Sequence, residues 1–318
     1  MRPISRRQAI FGTGLAGAGA LMAIDTARAG GSGGTGESPQ LDERAPIDSA
    51  RANDAAAPAT GRVVTKGRLK QSVSRWCYQK IALSDLAAAV KDMGLTAIDL
   101  LKEDEWDALK PYGLLCSMAY ATGGGTIADG LNDPKNHDAI VKGLEAGIPK
   151  AAKAGIPNVI TFFGNRRGMD LQQGLDNCVT GLNRIKKAAE DAGVTVCLEV
   201  LNSKVDHKDY LGDRSAYGVQ VVKAVGSPRV KVLFDIYHMQ IMEGDLIRTI
   251  RDNHQWIAHY HTGGVPGRHE LDETQEVNWR AVAAAIADTG FAGYMAHEFV
   301  PTRDPLTSLR EAVALCDV

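Results

Sequence analysis

Four polar residues stand at the ends of short apolar runs in the second half of the chain, and their types suit acid/base or metal chemistry. They are Glu199, Asp235, His261 and Glu298. Apolar runs of this kind are typical of buried parallel strands, and the carboxyl ends of such strands form the active sites of barrels. Successive members are 36, 26 and 37 positions apart, close to the roughly 31 residues of one strand-helix unit in a (β/α)8 barrel. The pattern predicts that all four side chains point into one mouth.

Three carboxylates in one poorly hydrated mouth repel one another and take up protons unless a cation neutralises them. A bound divalent ion would resolve this conflict. Oxygen-rich ligation with a single imidazole suits Mn²⁺, Mg²⁺ or Co²⁺ and also admits Zn²⁺. The competing interpretation takes each residue alone, because an Asp at a strand end is often only a helix N-cap and a buried His is often a satisfied core residue.

Strand-like and helix-like segments alternate eight times from Lys66 to the end of the chain, which predicts one (β/α)8 TIM barrel. The predicted strands are 69–77, 95–101, 113–119, 157–163, 194–200, 230–236, 256–262 and 293–299. The predicted helices are 82–93, 103–110, 135–154, 171–192, 213–226, 240–254, 276–289 and 305–316. A doubly wound open sheet is the alternative, but no G-x-G-x-x-G follows the first predicted strand.

The first 29 residues resemble a twin-arginine export signal. They contain the pair Arg6-Arg7, a mildly apolar stretch through Ile24 and an A-x-A cleavage site that ends at Ala29. The apolar stretch is shorter than the roughly 18 to 20 residues of a membrane span, so no stable membrane anchor is predicted. We expect a folded, cofactor-loaded protein to pass through the twin-arginine translocase into the periplasm or beyond.

Residues 30–66 are rich in Gly, Ser, Ala and Pro without hydrophobic periodicity, which predicts a disordered linker before a barrel domain at 67–318. Without residues 1–29, the chain keeps 32 of its 36 basic and 37 of its 38 acidic residues, a net charge of −5. A mildly acidic body has no electrostatic affinity for nucleic acid or an anionic membrane. The five cysteines lack C-x-x-C spacing, so buried thiols are expected rather than a disulfide framework.

Further polar residues follow the same predicted strands. His238 lies one helical turn beyond Asp235, and Arg268 lies in a Gly/Pro-rich loop after the seventh strand, where its planar guanidinium could pair with a carboxylate or phosphate. Arg166 and Arg167, after the fourth strand, are either a second anion contact or solvated loop charges.

Several segments together resemble the hydroxypyruvate isomerase family, within the xylose-isomerase-like barrel superfamily. They are SRWCY (74–78), GNRRG (164–168), CLEVLN (197–202), FDIYH (234–238), HTGGVPGRHE (261–270) and HEF (297–299). The resemblance covers about residues 68–318. It implies that Glu199, Asp235, His261 and Glu298 bind one divalent metal ion, that Glu199 and Glu298 also act as the acid/base pair, and that His238 and Arg268 bind substrate oxygens.

Such a site would act on a small α-hydroxy carbonyl substrate. One glutamate takes a proton from one carbon and a glutamate returns it to the neighbouring carbon through an enediolate, as in the conversion of hydroxypyruvate to tartronate semialdehyde. Return to the same carbon would instead make the protein a keto-sugar 3-epimerase. The exported leader departs from the resemblance, since family enzymes of glyoxylate metabolism are expected in the cytosol, and this leaves the substrate open.

Two other functions remain alternatives. A trinuclear-zinc endonuclease acting at abasic sites needs histidines from the second and third strands, and residues 96–101 and 113–119 contain none. An exported barrel that binds a sugar or acid without turning it over is the other alternative, and retention of both glutamates argues against it.

Overall fold

The structure of the protein is a computed structural model that describes residues 60–318. The predicted leader at 1–29 and most of the predicted linker lie outside the described residues. In the described part of the chain, nine short strands all pair in parallel. They are β1 (Lys70–Val73), β2 (Ala97–Ile98), β3 (Leu115–Cys116), β4 (Ala119–Tyr120), β5 (Asn158–Phe162), β6 (Thr195–Val200), β7 (Val230–Asp235), β8 (Ile257–Thr262) and β9 (Tyr294–His297).

The strands form the ring of a (β/α)8 barrel, which confirms the predicted fold. Seven of them form one sheet in the order β1-β9-β8-β7-β6-β5-β4, and β2 pairs with β3. Two isolated parallel bridges, Ser74 with Asp99 and Leu101 with Ala119, connect the pair to the two edges of the larger sheet. A ring without an open edge leaves few unpaired backbone groups, and it places the carboxyl ends of all strands around one mouth.

Helices cover the outside of the ring and bury one face each against it. They are α1 (Leu83–Met93), α2 (Pro134–Lys153), α3 (Leu171–Ala192), α4 (Ser215–Val225), α5 (Ile236–Met242), α6 (Leu246–Asn253), α7 (Trp279–Asp288) and α8 (Pro305–Cys316). In α3 the residues Cys178, Leu182, Ile185 and Ala189 are buried at helical spacing. Its amino end is capped by the Asp170 carboxylate. Among residues 60–318, no helix combines the length and the apolar composition that crossing a bilayer requires.

The first predicted strand is shorter than expected. β1 ends at Val73, and Arg75–Tyr78 is a 3-10 helix. The chain turns here because the Arg75 guanidinium donates hydrogen bonds to the carbonyl oxygens of Tyr78 and Ile81. The consequence is functional, since Trp76 leaves the strand register and lies over the mouth.

The predicted strand 113–119 is divided into β3 and β4. Between them, the carbonyl oxygen of Ser117 accepts a hydrogen bond from the side-chain amide of Asn158, at 2.9 Å, in place of a backbone donor. The predicted helix 240–254 is also divided, because Gly244 and Asp245 take left-handed backbone conformations between α5 and α6. The predicted helix 103–110 is a 3-10 helix over Glu103–Tyr112.

The last residues of the predicted linker, 63–66, form part of the base of the barrel instead. The backbone N–H groups of Val63 and Val64 donate to the Met93 carbonyl oxygen, at 2.9 and 3.1 Å. Those of Thr65, Lys66 and Gly67 donate to the Asp317 carboxylate, at 2.7 to 2.8 Å. Residues 60–66 are therefore hydrogen-bonded to the barrel at the end opposite the mouth. All five cysteines are free thiols and four of them are buried, as predicted.

Candidate active site

The structure brings Glu199, Asp235, His261 and Glu298 together at the carboxyl ends of β6, β7, β8 and β9. One nitrogen or oxygen atom from each lies within 4.8 Å of the others, and all four side chains are buried. The alternation of side chains along β8 explains the inward direction of His261, since Tyr260 packs outward against Phe291. The convergence that the spacing predicted is present, while the roles of the four residues as ligands remain a prediction.

His261 has two ring nitrogens with different surroundings. Nε2 lies 2.8 Å from the Oδ2 of Asp99, deeper in the barrel. Nδ1 faces the carboxylates, at 2.7 Å from Glu298, 3.4 Å from Glu199 and 4.0 Å from Asp235. Nδ1 is buried and makes no well-directed hydrogen bond with any described residue. Burial opposes protonation of His261, but Glu298, Asp99 and Glu199 outweigh it and raise its pKa. Loss of the Nδ1 proton, with the Nε2 proton kept beside Asp99, would direct the Nδ1 lone pair at the carboxylate cluster.

The side chain of Glu298 is held more firmly than that of Glu199. Its Oε1 accepts a hydrogen bond from the indole N–H of Trp76 at 2.5 Å, and its Oε2 accepts one from Arg268 at 2.5 Å. Burial opposes ionisation of Glu298, but His261 and Arg268 outweigh it and lower its pKa. Burial dominates at the other two carboxyl groups, raising the pKa of Glu199 and bringing that of Asp235 to about 7. Without a bound ion, the neighbouring cations favour ionisation of Glu298, while Glu199 and Asp235 tend to hold protons.

Arg268 enters the cluster from the loop after β8. Its backbone is left-handed, with φ of 58°, a conformation that costs a non-glycine residue energy and directs the side chain back over the mouth. The guanidinium lies between the rings of Trp76 and Tyr237, at 5.4 and 5.1 Å from their centroids. It also contacts Asp235 at 3.1 Å. Arg268 thus combines cation–π stacking with charge-assisted hydrogen bonds.

His238 is fully buried at the start of α5. Its Nδ1 accepts hydrogen bonds from the backbone and side-chain N–H groups of Asn202, at 3.1 and 2.7 Å, which places the ring proton on Nε2. Nε2 points toward Asp235 at 3.5 Å and toward Arg268 at 3.1 Å. Burial and the Arg268 charge lower the pKa of His238. Because the protonated Nε2 and the guanidinium of Arg268 are both donors, the ring contacts Arg268 by packing, and its N–H is directed toward Asp235.

A cavity of about 220 Å³ opens above the cluster. Its polar wall consists of Glu199, Glu298, Arg268 and His207, and the remaining wall is aromatic and apolar, formed by Trp76, Leu100, Tyr120, Ile127, Ile160, Phe162 and Leu201. Asp235, His261 and His238 lie behind this wall. Arg166 and Arg167 do not line the cavity; Arg167 pairs with Asp129 on the surface at 2.7 Å.

Sequence reasoning missed three residues of the site. Trp76 was assigned to a strand, and His207 lies in a long loop after β6 without any periodic signal. Asp99 directly follows β2, and an acid at the end of a predicted strand is the signal that could have identified it.

The cluster fits a divalent ion. Ligand atoms lie about 2.0 to 2.2 Å from a bound ion, so two ligands of one ion are about 3 to 4 Å apart. The separations of His261 Nδ1 from Glu199 and Asp235, 3.4 and 4.0 Å, fall in that range, and its separation from Glu298, 2.7 Å, is shorter. None of the three carboxylates is aligned for a well-directed hydrogen bond with Nδ1. Three carboxylates and one imidazole suit Mn²⁺, Mg²⁺, Co²⁺ or Zn²⁺.

Residues 82–317 match the profile of the xylose isomerase-like TIM barrel family. The chain belongs to this family. Among curated relatives, a putative hydroxypyruvate isomerase of Homo sapiens is 26% identical over 55% of this chain and 65% of its own length. A D-psicose 3-epimerase of Ruminiclostridium cellulolyticum is 35% identical over 39% of this chain and 40% of its own length. The chain therefore matches less than two thirds of each of these xylose isomerase-like relatives.

Solved structures agree with the barrel architecture of the family. An AP endonuclease of family 2 from Brucella melitensis superposes with a TM-score of 0.67, at 20% identity, over 76% of this chain and 97% of the other. At this identity the likeness shows the fold alone. Function must therefore be argued from the site.

Proposed function

We propose that the protein is a divalent-metal-dependent isomerase or epimerase that moves a proton on a small α-hydroxy carbonyl compound. The observation that carries the proposal is the convergence of Glu199, Asp235, His261 and Glu298 within 4.8 Å beside a cavity that both glutamates line. Asp235 and His261 lie behind the cavity wall, which suits residues that hold an ion. Membership of the xylose isomerase-like family supports an isomerase-type activity.

A bound Mn²⁺ or Mg²⁺ would polarise the substrate carbonyl and stabilise the charge of the enediolate. The proton transfers belong to Glu199 and Glu298. A carboxylate oxygen of one glutamate takes the proton from carbon, and a carboxyl group of the other returns it. The two residues approach the cavity from β6 and β9, which β7 and β8 separate. Trp76 holds Oε1 of Glu298 in place, and the apolar wall excludes water from the reacting carbons.

The first candidate reaction is the isomerisation of a hydroxypyruvate-type keto acid to tartronate semialdehyde. Arg268 lines the cavity as a planar cation of the kind that pairs with a carboxylate. The relative named as a putative hydroxypyruvate isomerase supports this substrate class. His238 would act here through Asp235, toward which its Nε2–H is directed and which accepts a hydrogen bond from Arg268.

The second candidate is the 3-epimerisation of a keto sugar. Nε and Nη2 of Arg268 already donate to Asp235 and Glu298. Most of the remaining wall is aromatic and apolar, which suits the C–H faces of a neutral sugar. The relative named as a D-psicose 3-epimerase supports this alternative. An abasic-site nuclease is disfavoured, because residues 96–101 and 113–119 contain no histidine, and Asp99 is the residue of these segments that contacts His261.

Proton exchange in D₂O tests the proposal. The purified protein is incubated with Mg²⁺ and either hydroxypyruvate or a ketohexose, and NMR follows the loss of the α-proton signal and the appearance of product. Glu199→Gln and Glu298→Gln should each lower turnover by about 10² to 10⁴-fold, and EDTA should stop it. Glu276→Gln is the matched control, because Glu276 is exposed and lies outside the cavity.

The responding compound decides between isomerase and epimerase. Exchange that neither glutamate variant reduces would contradict the acid/base assignment. Tight binding of a panel compound without exchange would indicate the non-catalytic binding barrel instead.

A further inference from the structure

Asp99 lies directly beneath the carboxylate cluster and is fully buried. Its Oδ2 lies 2.8 Å from Nε2 of His261 and 3.2 Å from Nε2 of His259. Its Oδ1 accepts a hydrogen bond from the hydroxyl of Ser117 at 2.7 Å. Three donors therefore surround one carboxylate inside the barrel.

Asp99, His259 and His261 are close enough to suggest a second ion site, but their separations favour direct hydrogen bonds. His261 Nε2 lies 2.8 Å from Asp99 Oδ2, a distance typical of a charge-assisted N–H···O bond, and Ser117 already donates to Oδ1. The proton on His261 Nε2 consequently lies between that nitrogen and Asp99.

Asp99 is held rigidly. Its backbone N–H donates to the Val73 carbonyl oxygen at 2.7 Å, and its carbonyl oxygen accepts from the Arg75 N–H at 3.0 Å. A fixed carboxylate acceptor can select one tautomer of the ring that it faces.

We propose that Asp99 is a positioning residue that keeps the His261 proton on Nε2, so that Nδ1 offers its lone pair to a divalent ion held with Glu199, Asp235 and Glu298. This inference rests on the proposed function. It specifies Nδ1 as the ligating atom of His261. It also explains why a carboxylate that does not line the cavity is buried directly beneath His261.

The test measures divalent-ion binding and the state of the His261 ring in the same protein. Isothermal titration with Mn²⁺ gives the dissociation constant, and ¹⁵N NMR of the Zn²⁺-loaded protein reports which ring nitrogen carries the proton. Asp99→Asn should weaken Mn²⁺ binding by about 10 to 100-fold. In the wild-type protein, the NMR spectrum should show Nε2 protonated and Nδ1 bound to the ion.

Asp317→Asn is the matched control, because Asp317 is also a buried aspartate with several hydrogen-bond donors but lies at the opposite end of the barrel. It should lower stability and leave Mn²⁺ affinity unchanged. If Asp99→Asn does not fold, Ser117→Ala, which removes the hydrogen bond to the other carboxylate oxygen, should weaken binding in the same direction to a smaller extent.

Mn²⁺ binding by Asp99→Asn within twofold of the wild type would overturn the proposal and leave the proposed function standing. Ligation of the ion through Nε2 in the wild-type spectrum would also overturn it, with no variant needed. If the wild-type protein binds no divalent ion, the proposed function itself fails, and the inference about Asp99 fails with it.

Discussion

Arg268 is the side chain on which the electrostatics of the site depend most. Its guanidinium contacts both Asp235 and Glu298, and only 16% of its side chain is exposed. Removing one partner of a buried ion pair commonly costs about 3 to 5 kcal/mol, because the remaining charge has no compensation. We therefore expect Arg268→Met to lower the free energy of unfolding by about 3 kcal/mol in EDTA.

Mn²⁺ should restore part of that loss, because an ion that binds only the folded state stabilises it. Urea denaturation with EDTA and with Mn²⁺ measures both effects. Arg167→Met removes an exposed ion pair with Asp129 and should cost less than about 1 kcal/mol. Equal losses for the two variants would contradict the description of Arg268 as a buried neutralising charge.

Single residues differed in how well the sequence predicted them. The sequence identified the four residues of the cluster because each one ends an apolar run, and strand register alone brings them together. They are Glu199, Asp235, His261 and Glu298. The partners of Trp76 and Asp99 in the site are 222 and 162 positions away. No local pattern records such pairings, which arise only when the barrel closes.

At the scale of elements, the Asp317 carboxylate joins the end of α8 to the segment that precedes β1. It accepts hydrogen bonds from three successive backbone N–H groups. Asp317→Asn should lower the free energy of unfolding at pH 7 by about 1.5 to 3 kcal/mol, the range for hydrogen bonds to a charged group. Asp138→Asn, on the exposed face of α2, is the control.

The same contact predicts a pH dependence. Burial opposes ionisation of Asp317, but the backbone hydrogen bonds outweigh it and lower the pKa in the folded state. A lowered folded-state pKa contributes stability that is fully present above the unfolded-state pKa of about 3.9 and is lost as the pH falls below that value and through the folded-state pKa. The difference between wild type and Asp317→Asn should therefore be full near pH 6 and shrink as the pH falls below about 4. A difference that stays constant would show that the carboxylate charge is not responsible.

The long central elements were predictable and the short ones were not. β6 to β8 are continuous buried runs whose composition predicts strands directly. The third strand divides because a side chain, Asn158, replaces a backbone donor at Ser117. The helix after β7 divides at two left-handed residues, of which only Gly244 gives a sequence signal.

At the scale of the whole molecule, we propose that the chain is exported through the twin-arginine translocase. Arg6 and Arg7 carry this proposal, and they lie outside the described residues. Replacement of both by lysine should keep the protein in the cytoplasm, as measured by cell fractionation and immunoblotting. Arg2→Lys is the control and should leave export unchanged. Equal periplasmic amounts for the wild type and the double variant would contradict the proposal.

The proposed activity requires one divalent ion held by the cluster at the mouth of the barrel. The most direct measurement is the number of Mn²⁺ ions bound per chain, obtained by isothermal titration of chelator-treated protein and compared with Asp235→Asn and His261→Gln. We expect one ion per wild-type chain and at least tenfold weaker binding in both variants. A wild-type protein that binds no ion, or variants that bind as tightly as the wild type, would contradict the account.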